Sequence, residues 1–311
     1  MKNENTIQTV VGGQGQLTLL QVYDSDLHRL SLRVGKDRAA STYRRQQQGR
    51  RHVADFLTTK LRQPDMALSQ LTTQFIYDYA SYLSAELQLR PGTVWLFTQM
   101  LKCVVGRACQ RGQLSHNPFA AAHFSKNIRP RQYLTEQELK QLMDYRPPQP
   151  YLRFVRDLFV FAAMTGMSFV DICNLKSTDI SDVNGETWIL ARRHKTMVPF
   201  YVHLNQAALD IVRHYDQGAD SVFGPINYRR LAAQVPRLMQ LCGIKKHITF
   251  HCARHTFAVM ALNAGVPIES VSRVLGHTNI TTTQIYAKIT MQKLSRDMTL
   301  FDKHLARTYY I

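Results

Sequence analysis

The stretch "ITFHCARHTF", Ile248 to Phe257, places His251, Arg254 and His255 within five residues. From Phe257 to Leu262 the chain then turns apolar, as a helix entering a core does. Three chemistries fit so many cationic and proton-transferring groups on one helix turn: a metal site, a phosphate site, or an ordinary polar helix start. A helix puts His251 and Arg254 on one face. His251 and His255 also have a zinc-compatible spacing, but zinc wants a third ligand, and a metalloprotease wants Glu directly after the first His. Cys252 stands there instead. The rest of the chain has to decide.

Its 311 residues suffice for one large domain or two ordinary ones, with 45% hydrophobic residues to build cores. Lys and Arg number 39 against 22 Asp and Glu, a formal charge of +17. Solubility alone does not require that excess. It favours a polyanionic partner, nucleic acid ahead of a membrane surface. The polar start "MKNENTIQTVVGGQGQ" lacks the apolar core of a secretory signal, and no run is long enough to span a membrane. The expectation is a cytoplasmic, nucleoid-associated protein. Five cysteines without a close CxxC pair read as reduced thiols.

Residues 1–16 read as a polar arm, and 17–124 as helical throughout. Ser41 or Thr42 opens a helix to Leu61 whose apolar side is Val53, Phe56 and Leu57. Its other side carries Arg44, Arg45, Arg50 and Arg51. That basic face reads as a DNA contact or a solvated surface, and the global charge favours DNA. Thr72 or Thr73 opens a third helix, and Pro91 sits where a first-turn proline belongs, ahead of a fourth. Residues 125–134, with Arg129 and Arg131, form a basic linker, also expected to touch DNA. Thr135 and Glu138 then make a capping box. After the prolines at 147, 148 and 150, a long apolar helix runs from Tyr151 to Met164, ended by Gly166, and a short one from Phe169 to Leu175. Between Asp179 and Leu204 the period changes. Asn184-Gly185 is a hairpin signal, with Trp188–Leu190 as one strand and Val198, Phe200 and Val202 as another, joined by "RRHKT". The expected fold is mainly α with a small antiparallel sheet.

Pro267 starts a helix stopped by Gly276, leaving His277 at a loop entrance. Thr281 can cap a further helix carrying Tyr286. Alone, His277 reads equally as a C-cap histidine and Tyr286 as a packed aromatic. Together, Lys195 in a β-turn, His251-x-x-Arg254, Leu275-Gly276-His277 and Tyr286 nine residues later form an ordered set. In that set the chain resembles the tyrosine recombinase, or phage integrase, family, from about Leu17 onward. "LGHTNITTTQIYAKI" is similar to its C-terminal signature, and "HCARHTFAVMALNAG" to its His-x-x-Arg box.

The resemblance implies a helical SAM-like core-binding domain over 17–124 and a mixed α/β catalytic domain over 135–311. The segment from about 290 would dock on a neighbouring subunit of a tetramer on DNA. It also implies the chemistry. Tyr286 attacks a DNA phosphate, giving a 3′-phosphotyrosyl link and, on exchange, a Holliday junction. Arg254 holds non-bridging oxygens with its rigid fork of donors. His251 donates to the same oxygens or takes the phenol proton. His277 binds the phosphate or positions the nucleophile, and Lys195 protonates the leaving 5′-oxygen. No metal and no cofactor are implied.

The pattern breaks at one place. The family has a first arginine in a Thr-Gly-x-Arg-x-x-Glu box, whereas this chain reads "TGMSFVDICNLK". Ser168 takes the arginine position, and Asp171 matches the acid. In this it resembles mobile-element integrases of the Bacteroides type. Either the enzyme is impaired and only binds DNA, or another cation supplies the charge. Arg156, on the apolar helix leading into the box, is the expected substitute, with Arg192 and Arg193 as runners-up. Only about 16 residues precede the first expected helix, which favours a simple recombinase on short inverted half-sites, acting by inversion, excision or integration. A type IB topoisomerase shares the nucleophile chemistry; strand exchange between two duplexes separates the two.

Overall fold

The computed structural model describes residues 16–126, 132–194, 197–218, 220–286 and 291–309. Lys195, Arg129 and Arg131 fall outside the described residues, as does most of the expected N-terminal arm. The chain divides into two compact units, 1–129 and 130–311. Among the described residues no helix is long and apolar enough to cross a membrane.

The first unit is a helical array of α1 (Leu19–Ser31), α2 (Ala40–Lys60), α3 (Thr73–Ala85) and α4 (Pro91–Gln110). Helix α2 begins two residues before the expected cap, on Ala39, without a capping side chain. Thr72 does cap α3, accepting from the Phe75 amide, and Pro91 opens α4. An aromatic core of Tyr23, Phe56, Phe75, Tyr79 and Phe119 joins the helices. The basic face of α2 is not uniform. Arg44, Arg45 and Arg51 are exposed, whereas Arg50 is forked onto Asp24 of α1 at 2.9 and 2.8 Å. Asp26 of α1 takes Arg107 and Arg111 of α4 at 2.6 and 2.7 Å. The acids of α1 thus neutralise part of the charge.

The second unit is built on α6 (Pro150–Thr165), preceded by α5 (Glu136–Asp144). Thr135 and Glu138 close the capping box of α5 in both directions. Helix α6 is buried nearly all round, as its apolar sequence requires, and packs against α5, α8 (Gln206–Tyr215), α9 (Tyr228–Leu241) and α10 (His251–Asn263). Between α6 and α8 lie a short helix, α7 (Phe169–Cys173), and an antiparallel sheet of β1 (Ile180–Val183), β2 (Glu186–Arg192) and β3 (Pro199–His203), in the order β1-β2-β3. Asn184 and Gly185 form the first turn, with φ of 57° and 81°. Ile189, Phe200 and Val202 face the core, while the cross-strand pair Leu190 and Tyr201 faces outward. The chain continues through α11 (Ile268–Val274), α12 (Thr281–Gln284) and α13 (Met291–Tyr309). Ile280, not Thr281, is the N-cap of α12, since Thr281 bonds back to Asn279 through both its amide and its hydroxyl. Tyr286 therefore sits in the turn after α12 rather than on a helix.

Gly166 ends α6 at φ +67°, and a Cβ there would lie 2.5 Å from the Phe257 ring. Any side chain meets both a left-handed backbone and an occupied space. Gly166→Ala is expected to destabilise the fold by about 2–4 kcal/mol, the combined cost of the backbone conformation and overpacking. A lowered urea midpoint checks it; an unchanged midpoint refutes the packing.

Candidate active site

Helix α10 buries Arg254 and His255 and leaves His251 exposed at its first residue. The Arg254 guanidinium donates to the carbonyls of Gly166 at 2.8 Å and Leu275 at 2.6 Å. It also reaches His277 Nε2 at 2.9 Å, and the Tyr286 phenol is a further hydrogen-bond partner. The ends of α6 and α11 and the nucleophile candidate thus converge on one side chain. His255 stands between the other two groups, its ring 4.6 Å from that of His251 and 5.0 Å from that of Tyr286. Tyr286 also packs against the small cluster of Ala258, Leu262, Val271 and Leu275, which fixes its ring.

Ser168 is the N-cap of α7. Its hydroxyl donates to Asp171 Oδ2 at 2.5 Å. The same carboxylate accepts from Arg193 at 2.5 Å and from the His194 amide at 3.0 Å. Arg193, at the end of β2, is only 5% exposed. Its second nitrogen donates to the Val274 carbonyl at 2.9 Å, one residue before the carbonyl held by Arg254. Its guanidinium lies over Phe200, 4.1 Å from the ring centre, and its Nε is buried with no hydrogen-bond partner. A Cβ at Gly276 would collide with Arg193, so the φ of +59° there is matched by a lack of room.

The residue expected to replace the missing arginine is elsewhere. Arg156 donates to Asp157 at 2.8 and 2.6 Å and to the Tyr145 carbonyl at 2.6 Å. Asp157 is fixed in turn by the Tyr215 hydroxyl at 2.8 Å. Arg156 lines a separate cavity with Arg146, Arg153, Asp210 and His214. A buried helix needs a local counter-ion for any arginine it carries, and Asp157 is that counter-ion. Arg192 is exposed and donates to the Met197 carbonyl at 3.3 Å. The runner-up Arg193 is the arginine beside Arg254. The sequence singled out His255 only as part of the cationic first turn and as a zinc-spaced partner of His251, and gave it no role in the reaction.

The electrostatics follow from crowding. Burial, and then the Arg193 charge, pull Arg254 down to about 10. Burial, then Arg254, Arg193 and His251, push His277 down to about 4, so it is neutral at pH 7. Burial works to raise the Asp171 carboxyl, but Ser168, the His194 amide and Arg193 together hold it below the usual carboxylate value. Ser168, His251 and Arg254 open onto a cavity of about 460 Å³ walled by Phe169, Tyr228 and Phe250. Two guanidinium groups stand here with one carboxylate between them.

Residues 132–293 match the phage integrase family, and residues 18–127 the phage integrase SAM-like domain. The chain belongs to the phage integrase family, the tyrosine recombinases, which cleave and rejoin DNA. It is 23% identical over 286 residues to tyrosine recombinase XerC of Halalkalibacterium halodurans, covering 85% of this chain and 92% of the relative. It is 29% identical to tyrosine recombinase XerA of Thermococcus kodakarensis, over 52% of this chain and 60% of that one. The fold is similar to the Tn1549 transposon integrase bound to a circular intermediate DNA, with a TM-score of 0.72 and 18% identity over 91% of this chain and 99% of that one. It is also similar to lambda integrase in a tetramer on a Holliday junction, with a TM-score of 0.69 and 19% identity over 89% and 82%.

Asp171→Asn removes the charge that holds buried Arg193 and is expected to cost about 3–5 kcal/mol. The folded-state pKa of Asp171 is depressed, so its stabilisation is full above the unfolded value of about 3.9 and lost as pH falls through the lower folded value. Urea unfolding of the parent should weaken across that acid window, and the Asn variant should lack this component. Equal pH dependence in both would refute the assignment.

Proposed function

We propose that the chain is a site-specific DNA recombinase that works through a 3′-phosphotyrosyl intermediate, with Arg193 supplying the cation that Ser168 does not. The observation that carries this reading is the capture of consecutive α11 carbonyls by Arg193 and Arg254, beside His277 and Tyr286. Ser168 and Arg193 meet on the same Asp171 carboxylate, so the serine has a structural task and the charge comes from β2.

In the reaction the Tyr286 oxygen bonds to phosphorus as the bond to the 5′-oxygen breaks. His251, exposed at the mouth of the cavity, takes the phenol proton. Lys195 gives a proton to the 5′-oxygen. Arg254 and Arg193 hold the charge that gathers on the non-bridging oxygens, in a site already paid for by folding. His277, neutral and with its Nε2 lone pair on Arg254, enters as a group that positions that arginine. The exposed arginines 44, 45 and 51, with 129 and 131, contact DNA phosphates, while Arg50 is half committed to Asp24.

The working unit is a homotetramer on double-stranded DNA with inverted half-sites. Helix α13, which exposes Leu294, Met298 and Phe301, supplies the apolar surface for exchange between subunits. The serine at the first-arginine position supports a kinship with the Bacteroides-type mobile-element integrases that the sequence resembles there.

The test is to express the gene beside its own flanking DNA in a host without it, and to read junctions by long-read sequencing. Rearranged junctions that vanish with Tyr286→Phe support the reading. The absence of both junctions and covalent DNA adducts refutes it. On a nicked site recovered from such a junction, Arg193→Ala should lower adduct formation about 10²–10³-fold. Arg156→Ala should leave it within a few-fold, and the opposite ranking would return the missing cation to α6.

A further inference from the structure

His277 has two hydrogen-bonded ring nitrogens, and their partners fix its chemistry. Nε2 faces Arg254 Nη2 at 2.9 Å. A guanidinium has donors only, so Nε2 must accept and be bare. In a neutral ring the proton is then on Nδ1, which lies 2.8 Å from Thr283 Oγ1. Thr283 is fully buried, and this hydroxyl is therefore an acceptor aimed at the imidazole. Its carbonyl accepts from the Tyr286 amide at 2.9 Å. One residue is bonded by its side chain to the histidine and by its backbone to the nucleophile's own amide.

We propose that Thr283 is a positioning residue of the reaction: its hydroxyl locks His277 as the Nδ1–H tautomer and thereby ties the Tyr286 segment to the Arg254 phosphate site. The proposal rests on the recombinase reading for its activity arm only. If α12 leaves, His277 loses the acceptor that selects its tautomer, and the Nε2 lone pair no longer faces Arg254. Docking of the nucleophile and assembly of the cation that meets the phosphate are then one event. No free tyrosine would be presented to a half-built site, and no complete site would stand without its tyrosine. Among the described residues, the charged and titratable groups around the ring are Arg254 and His251 of α10, Arg193 just after β2, and Tyr286. None of these can accept from Nδ1 in place of Thr283, because Nδ1 already points at α12.

The first measurement is ¹⁵N NMR of the histidine side chains in the full chain without DNA, at pH 6.5, with His277→Gln to assign the signal. The expected signal is a neutral Nδ1–H imidazole, replaced in Thr283→Val by a mixture of tautomers. An Nε2–H signal in the parent, or an unchanged Nδ1–H signal in the valine variant, overturns the proposal. The second is adduct formation on the nicked recombination site across pH 6–9. Partners that orient an active-site histidine are worth about 10–100-fold in metal sites. Thr283→Val should fall by that factor and change the pH profile, and Thr283→Ser should recover to within a few-fold. Equal losses in Ser and Val, or none in Val, overturn it. Should the valine variant not fold, the parent tautomer and the serine variant still decide. If the parent makes no adduct yet shows Nδ1–H, the recombinase reading fails while the hydroxyl–imidazole lock stands.

Discussion

Two guanidinium groups share the end of one short helix, and the site depends on that sharing. The last carbonyls of α11, Val274 and Leu275, have no partner within the helix, and such a C-terminus carries partial negative charge. Arg193 takes the first and Arg254 the second. Each arginine comes from a different element, β2 and α10, so the helix end fastens sheet to helix. It also brings two like charges together that water would keep apart. Asp171 offsets one of them, and Gly276 makes the approach possible by having no side chain.

The sequence exposed much of this in outline. Apolar periodicity and the signals at Thr72, Pro91, Thr135 and Asn184-Gly185 mark elements that the structure contains, because caps and turns act over three or four residues. The start of α2 on Ala39 was not legible, since no side chain caps it and Ser41 and Thr42 offered a false signal. The resemblance also brought out His251, Arg254, His277 and Tyr286, and the fold brings His277 and Tyr286 to the Arg254 guanidinium. The arginine nearest Arg254 was harder to read. Arg156 stood out because it interrupts an apolar helix, yet burial on all sides means a local acid, not a ligand, explains a charge there. Arg193 looked like one more basic residue near a turn. What distinguishes it is the distance from β2 to α7 and α11, which no periodicity reports.

Ser168 and Arg193 meet on one carboxylate, and the proposed reading turns on that meeting. In the family pattern an arginine at that place would project from the start of α7. Here a hydroxyl occupies it and spends its hydrogen bond on Asp171. The carboxylate is then free to orient a guanidinium arriving from the opposite side. On the proposed reading, the acid keeps its place and the cation it orients arrives from beside β2.

The same crowding explains why the resting site contains a neutral histidine. With Arg193 and Arg254 fixed by folding, a third cation would be placed against two charges it cannot avoid. The cheapest response is to give up the proton of the most titratable group, and His277 does so. Its freed lone pair becomes the acceptor that Arg254 otherwise lacks on that side. In the proposed reaction a phosphodiester would change this balance, because its negative charge would favour the cations it meets. On that reading substrate binding would relieve a repulsion stored during folding, most of all when negative charge accumulates on the phosphoryl oxygens. That differential, rather than tight binding of the resting phosphate, is what a recombinase needs from its arginines.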